Sequence, residues 1–268
     1  MDAIRVTVRR GGVVEAVHRV HVRSSRGDAY GDDVHCFLRS SLKPVQAIPL
    51  LEGYGDLGDD ELAIACASHQ AEPAQLAAVR RLLTRAAAEV DDLENGLQEG
   101  RPEGRLGHNC SGKHAGMLAA CRAHGWSLHP YRAADHPLQQ RIAALVGAAE
   151  AAVDGCGVPT YAMPLSRMCT VFLEAPPRIR EAMAARPELV GGAGADDTTL
   201  MRARPGWYAK RGAEGLFCAS DGDVAWTLKV EDGASRALRP VLGRLFGIEE
   251  LVEVPVRNSR GDVVGSIA

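Results

Sequence analysis

Lysine is scarce in this chain. Of its 31 basic residues only four are lysines, Lys43, Lys113, Lys210 and Lys229, and arginine carries nearly all the positive charge. An amine can lose its proton when desolvated and a guanidinium cannot, so each remaining lysine marks a place where an amine itself is wanted. Excess charge is also lacking. The net charge of −3 makes no bulk electrostatic case for nucleic acid or an anionic membrane as partner. No apolar run approaches the ~20 residues that cross a bilayer. The first eight residues alternate like a strand and lack the apolar core of a signal peptide, which places the protein in the cytoplasm. Seven cysteines in such a chain argue against a disulfide framework. Cys36, Cys66, Cys121, Cys169 and Cys218 sit in apolar stretches and read as buried thiols. Cys110 and Cys156 sit in glycine-rich, polar settings and need another explanation.

What is present is ordinary for a soluble globular protein: 268 residues, 46% hydrophobic and 24% charged. The chain reads as a single domain over residues 1–268, with a helical subregion at about 59–205. Residues 4–8 and 13–22 predict two strands around a Gly11-Gly12 turn. Helices are predicted over 45–52 with a kink at Pro49, 59–67, 74–90, 137–153, 178–183, 188–190, 196–202 and 234–246. Strands return over 223–230, 252–256 and 263–267. Residues 91–106, acidic and then glycine-rich, read as an exposed loop and the best candidate hinge. Strands at both ends and helices between them fit an α/β (α+β) fold, a mixed antiparallel sheet from the N- and C-terminal strands with helices packed on it. Serine β-lactamases and penicillin-binding proteins have a similar arrangement.

Four stretches carry chemistry. In Arg39-Ser40-Ser41-Leu42-Lys43-Pro44, Ser40 and Lys43 lie three residues apart, on one face of a helix, where a desolvated amine can activate a hydroxyl. The S-x-x-K motif of serine β-lactamases has this spacing. Ala67-Ser68-His69 offers a second hydroxyl at a tight turn. His108-Asn109-Cys110-Ser111-Gly112-Lys113-His114 crowds polar groups into a loop feeding a helix N-terminus, with Gly112 and Gly116 permitting close approach of a backbone or a ligand. A P-loop is excluded there, because His114 stands where a magnesium-binding hydroxyl should be. Asp154-Gly155-Cys156-Gly157 sets a thiol between two glycines; with Cys110 it could complete a small metal site.

These blocks, with Lys210-Arg211-Gly212-Ala213-Glu214-Gly215, Pro187-Glu188-Leu189-Val190-Gly191-Gly192 and Lys229-Val230-Glu231-Asp232-Gly233 in the same order, resemble the L-asparaginase II family, the rhizobial-type L-asparaginases. The resemblance spans nearly the whole chain. It implies a β-lactamase-like fold, a bacterial homodimer, and hydrolysis of L-asparagine to L-aspartate and ammonia. It implies two serine–lysine tandems, Ser40 with Lys43 and Ser68 with Lys210, and a Zn2+ held by Cys110, Lys113 and Cys156. Arg39 or His69 would take the substrate carboxylate and Asp154 its ammonium, with Asn109 and His114 hydrogen-bonding the substrate. Two stretches, around 97–105 and 166–180, look trimmed relative to the family; neither holds a motif residue, so the expectation is altered loops or dimer edges. Two other readings stand beside this one. A penicillin-binding or β-lactamase-type acyl-serine hydrolase would make Lys210-Arg211-Gly212 an echo of K-T-G, but no S-D-N element occurs. A non-catalytic zinc-stabilised binding protein would make the serine–lysine pairs incidental.

Overall fold

A computed structural model describes residues 1–147 and 150–268. The strands are β1 (Ile4–Arg10), β2 (Val13–Ser24), β3 (Ala29–Tyr30), β4 (His35–Phe37), β5 (Glu150–Val153), β6 (Pro159–Pro164), β7 (Tyr208–Arg211), β8 (Leu216–Ser220), β9 (Ala225–Val230), β10 (Val254–Arg257) and β11 (Val263–Ile267). The main sheet runs β10-β11-β1-β2-β9-β8-β7, with β3 beside β2. All its pairs are antiparallel. The N- and C-terminal strands therefore build one sheet, as their alternation predicts.

Burial along the strands follows their place in that sheet. β1 buries Val6 and Val8 and turns its arginines outward, whereas β8, one strand in from the β7 edge, is buried at every residue. A strand covered on both faces reads as a continuous apolar run, which Leu216-Phe217-Cys218-Ala219 is. Helix Leu165–Leu173 packs on β2, β8 and β9, and helix Leu238–Phe246 on β1.

Between β4 and β7 lies the helical part, and its tightest joint positions the site. Helix Ser111–His124 is buried from Ser111 to Cys121 and packs on helices Ile48–Gly53, Asp59–Ala65 and Pro73–Ala86. A Cβ on Gly112 would lie 2.2 Å from the Ile64 carbonyl oxygen, so only glycine lets the two helices approach this closely. A Cβ on Gly116 would lie 3.1 Å from the Ala65 side chain. The close approach that Gly112 permits is thus to a backbone, and that of Gly116 to a side chain.

Three expectations are corrected. The helix read over 137–153 stops at Val146, because Gly147 takes a left-handed conformation (φ 60°) that ends it. Residues 150–153 instead form β5, paired with β6 in a small β4-β6-β5 sheet; residues 148–149 lie outside the described residues. The helix read over 74–90 ends at Ala86, where Ala87 is left-handed (φ 47°). The stretch 91–106 is not simply an exposed loop: Leu93, Asn95 and Leu106 are buried. Asn95 Nδ2 donates to Arg105 O at 3.0 Å, closing the loop on itself. Among the described residues no helix is long and apolar enough to cross a membrane.

Candidate functional site

Ser40, Ser68, Asn109 and Gly212 border a cleft of about 320 Å³, within the range of small-molecule sites. Larger depressions, of about 520 Å³ around Arg180 and Asp221 and about 730 Å³ around Thr198 and Glu250, are lined by neither serine nor histidine among the described residues. The chemistry, not the volume, singles out the smaller one.

Ser40 lies in a 3-10 turn, Arg39–Leu42, that leads into helix Lys43–Gln46. Arg39 enters that turn with φ 50°, a left-handed conformation that an L residue adopts at a cost. Its amide donates to Thr160 Oγ1 at 3.1 Å, and its guanidinium donates to Asp154 Oδ1 at 2.5 Å. The turn leaves Ser40 half-buried at the cleft wall while Lys43 is fully buried behind it. Lys43 Nζ reaches the end of helix Asp59–Ala65, where it donates to Ala67 O and lies 3.0 Å from Ser68 Oγ. The chain 67–69 is held from both sides: Ser68 N donates to Val190 O at 2.9 Å and His69 N to Asn109 O at 3.1 Å. Burial pushes the Lys43 amine below its ordinary pKa, Cys110 pulling the other way.

The expected pairs are therefore rearranged. Lys43 hydrogen-bonds with Ser68 rather than Ser40: its amine is fully buried against the turn after helix Asp59–Ala65, while Ser40 stays half-buried at the cleft wall. Lys210 bonds with neither serine. Its Nζ lies 3.2 Å from Asp197 Oδ2 and donates to Arg211 O at 3.1 Å. Lys210 and Asp197 are both fully buried. Burial pulls the Lys210 amine down to about 7, with Asp197 opposing and Lys43 and Arg211 assisting. Arg211 donates to Ser68 O at 3.0 Å and Gly191 O at 3.3 Å, and its guanidinium also lies 3.7 Å from Asp197. Ser41, the neighbouring hydroxyl of the first motif, is occupied: it donates to Lys210 O at 3.0 Å.

The polar block after His108 sits behind the serines. Lys113 Nζ donates to Cys156 Sγ at 2.9 Å. Cys110 and Cys156 are both buried. A hydrogen bond with Cys156 holds the Cys110 thiol well below its ordinary range, with Lys43 and Lys113 adding to the effect against burial. Among the described residues no three His, Cys, Asp or Glu side chains gather as a metal set, so the third donor here would have to be Lys113. His114 accounts for one more buried polar atom: Nδ1 is 2.7 Å from Tyr131 Oη, and Nε2 has no hydrogen-bond partner. Burial pushes His114 down to about 4, with Cys156 pulling it up.

His69 borders the cleft with both ring nitrogens taken. Its Nδ1 accepts from Ala71 N at 3.1 Å. Its Nε2 is 2.8 Å from Ser111 Oγ, which itself donates to Leu106 O at 2.7 Å. That chain of donors requires the neutral Nε2–H tautomer, and burial holds the ring there by pushing its pKa to about 3. Arg39 and Asp154, expected to take opposite ends of the substrate, neutralise each other. Three residues not read from the sequence belong here: Asp197 behind Lys210, and Gln98 and Arg101 at the cleft. The scarcity of lysine was a signal for Asp197, since a buried amine needs a counter-charge.

Two hydroxyls thus border one small cleft, and one of them is bonded to a buried amine. The family model for L-asparaginase II matches residues 6–268, and the chain belongs to that family, one of amidohydrolases. No curated protein matches the chain. Among solved structures, a candidate beta-lactamase from Bacteroides dorei DSM 17855 is similar at 13% identity and a TM-score of 0.42, over 84% of this chain and 84% of that one. The native form of a protein named Mglu is similar at 13% identity and a TM-score of 0.36, over 85% of this chain and 64% of that one. Scores this low bear on neither substrate nor mechanism.

Proposed function

We propose that this chain hydrolyses the side-chain amide of L-asparagine to L-aspartate and ammonia through a serine activated by lysine. The observation that carries the reading is the buried Lys43 amine 3.0 Å from Ser68 Oγ, at a cleft that Ser40 shares, in a chain of the L-asparaginase II family. Ser40 is the more open hydroxyl and attacks the carboxamide carbon. Its proton passes through Ser68 to Lys43, whose neutral amine burial favours. Ala213 lines the cleft, and its amide N–H would stabilise the oxyanion. The C–N bond breaks as the proton returns to the leaving nitrogen, and water then cleaves the aspartyl ester. Lys210, held by Asp197, carries protons for the second half of the cycle.

The same reading gives Cys110, Cys156 and Lys113 a zinc ion. Once deprotonated on binding, the two thiols and the amine would form a soft S/N donor set suited to that metal, and the His114 Nε2, unpartnered among the described residues, belongs to the same buried polar region. Bound zinc would supply a fixed positive charge beside the serines. A homodimer completes the proposal, on the resemblance alone. The test is ammonia release from L-asparagine by the purified protein, run beside acylation by a fluorescent penicillin. Release without acylation supports the reading. Acylation without release would make the chain a penicillin-recognising hydrolase, and neither would leave a binding protein.

A further inference from the structure

The cleft borders contain two guanidiniums, Arg101 and Arg211, and no carboxylate. The positive groups nearest the serines are otherwise committed. Arg39 is neutralised by Asp154, His69 has both nitrogens bonded, and Arg211 is spent on Ser68 O, Gly191 O and Asp197. Arg101 differs: it is half-buried, it donates to Gln70 O, and among the described residues it forms no ion pair. Its place is built. Gln98 Oε1, three residues earlier in the same loop, accepts from Asn109 N at 2.8 Å and ties the loop to the polar block. Arg105 Nη1 donates to Asp91 O at 3.1 Å and secures the loop at its base.

A guanidinium without a counter-ion, at the rim of a small cleft that shows no negative side chain, is a receptor for a carboxylate. We propose that Arg101 binds the α-carboxylate of the substrate, so that the loop 93–106 selects small ω-amides bearing a free carboxylate and rejects those whose carboxylate is masked. This rests on the amide-hydrolase reading above. It assigns to a loop without a recognised motif residue the recognition step that the sequence pattern placed on Arg39 or His69.

The test compares wild type, Arg101→Gln and Arg101→Lys on L-asparagine and on L-asparaginamide, in which the carboxylate is masked. A charge-assisted pair of this kind is worth about 1.5–3 kcal/mol, so the ratio of kcat/KM for the two substrates should fall about tenfold or more in Arg101→Gln and recover in part in Arg101→Lys. An equal loss on both substrates would mean that the loop had merely collapsed, and would overturn the proposal. A second arm needs no turnover: calorimetric titration with L-aspartate should show about tenfold weaker binding by Arg101→Gln than by wild type. Equal affinity overturns the carboxylate site. Retained discrimination in binding with no ammonia release by wild type would leave the site standing and overturn the amide-hydrolase reading alone.

Discussion

Replacing Asp197 by Asn removes one charge and almost no volume from the most deeply buried ion pair at the site. Asp197 Oδ2 and Lys210 Nζ are 3.2 Å apart and neither side chain is exposed. At an effective dielectric of about 20, unit charges at that distance attract by roughly 5 kcal/mol, which is a ceiling because the site relaxes. Half of it would still be worth about two pH units on the amine. The sign follows from the causes. Burial, Lys43 and Arg211 lower the Lys210 pKa, Asp197 raises it, and the balance is about 7. With Asn in place, only the lowering influences remain. The groups facing the amine are then Lys43, Arg211 and the Cys66 thiol, none of which restores the lost negative charge. If the neutral amine carries protons, kcat/KM for ammonia release rises with pH through about 7 in the wild type. In Asp197→Asn that limb moves to lower pH by about one unit or more. The assay is kcat/KM for L-asparagine between about pH 5 and 9, with the melting temperature measured alongside. A limb that stays in place, in a variant that folds, refutes a proton-carrying role for Lys210.

Three further outcomes follow from the geometry. Lys43→Arg installs a charge that cannot release its proton, so kcat should fall by a factor of about 10²–10⁴, with the melting temperature measured alongside; near-wild-type turnover would remove Lys43 as the base. Gly112→Ala puts a methyl group 2.2 Å from the Ile64 carbonyl oxygen and should cost about 2 kcal/mol or more, read as a drop of several degrees in melting temperature. It should also displace Lys113 and Cys110, so an unchanged melting temperature would contradict the close packing. Purified protein should carry close to one zinc per chain by elemental analysis, falling sharply in Cys110→Ser and Cys156→Ser; equal content in all three would place any metal elsewhere.

The outer part of the sheet was legible because its strands lie at the two ends of the chain and alternate, as Val6 and Val8 in β1 show. The β5–β6 hairpin was not. Residues 137–153 hold one helical period as far as Val146, and only the conformation of Gly147 separates helix from strand. Ser40, Lys43 and Ser68 were recognisable as residue types, and the structure brings them to one cleft region. Which lysine meets which serine was not recognisable, because Ser68 is brought to Lys43 by the packing of a turn 25 residues further along the chain, which no local spacing encodes. Asp197 was masked by its setting: Asp196-Asp197-Thr198-Thr199 reads as an ordinary acidic helix start. Arg101 was masked by its loop, in which charge and glycine suggest exposure while Leu93 and Leu106 anchor the backbone beneath.

The central claim is that Ser40 becomes acylated while Ser68 and Lys43 move its proton. The most direct measurement is rapid acid quenching of the enzyme during turnover of L-asparagine, followed by peptide mass mapping. An aspartyl ester on Ser40, absent from Ser40→Ala and diminished in Ser68→Ala, is the predicted result. An ester on Ser68 instead, or turnover with neither serine modified in a quench that traps the steady state, would contradict it.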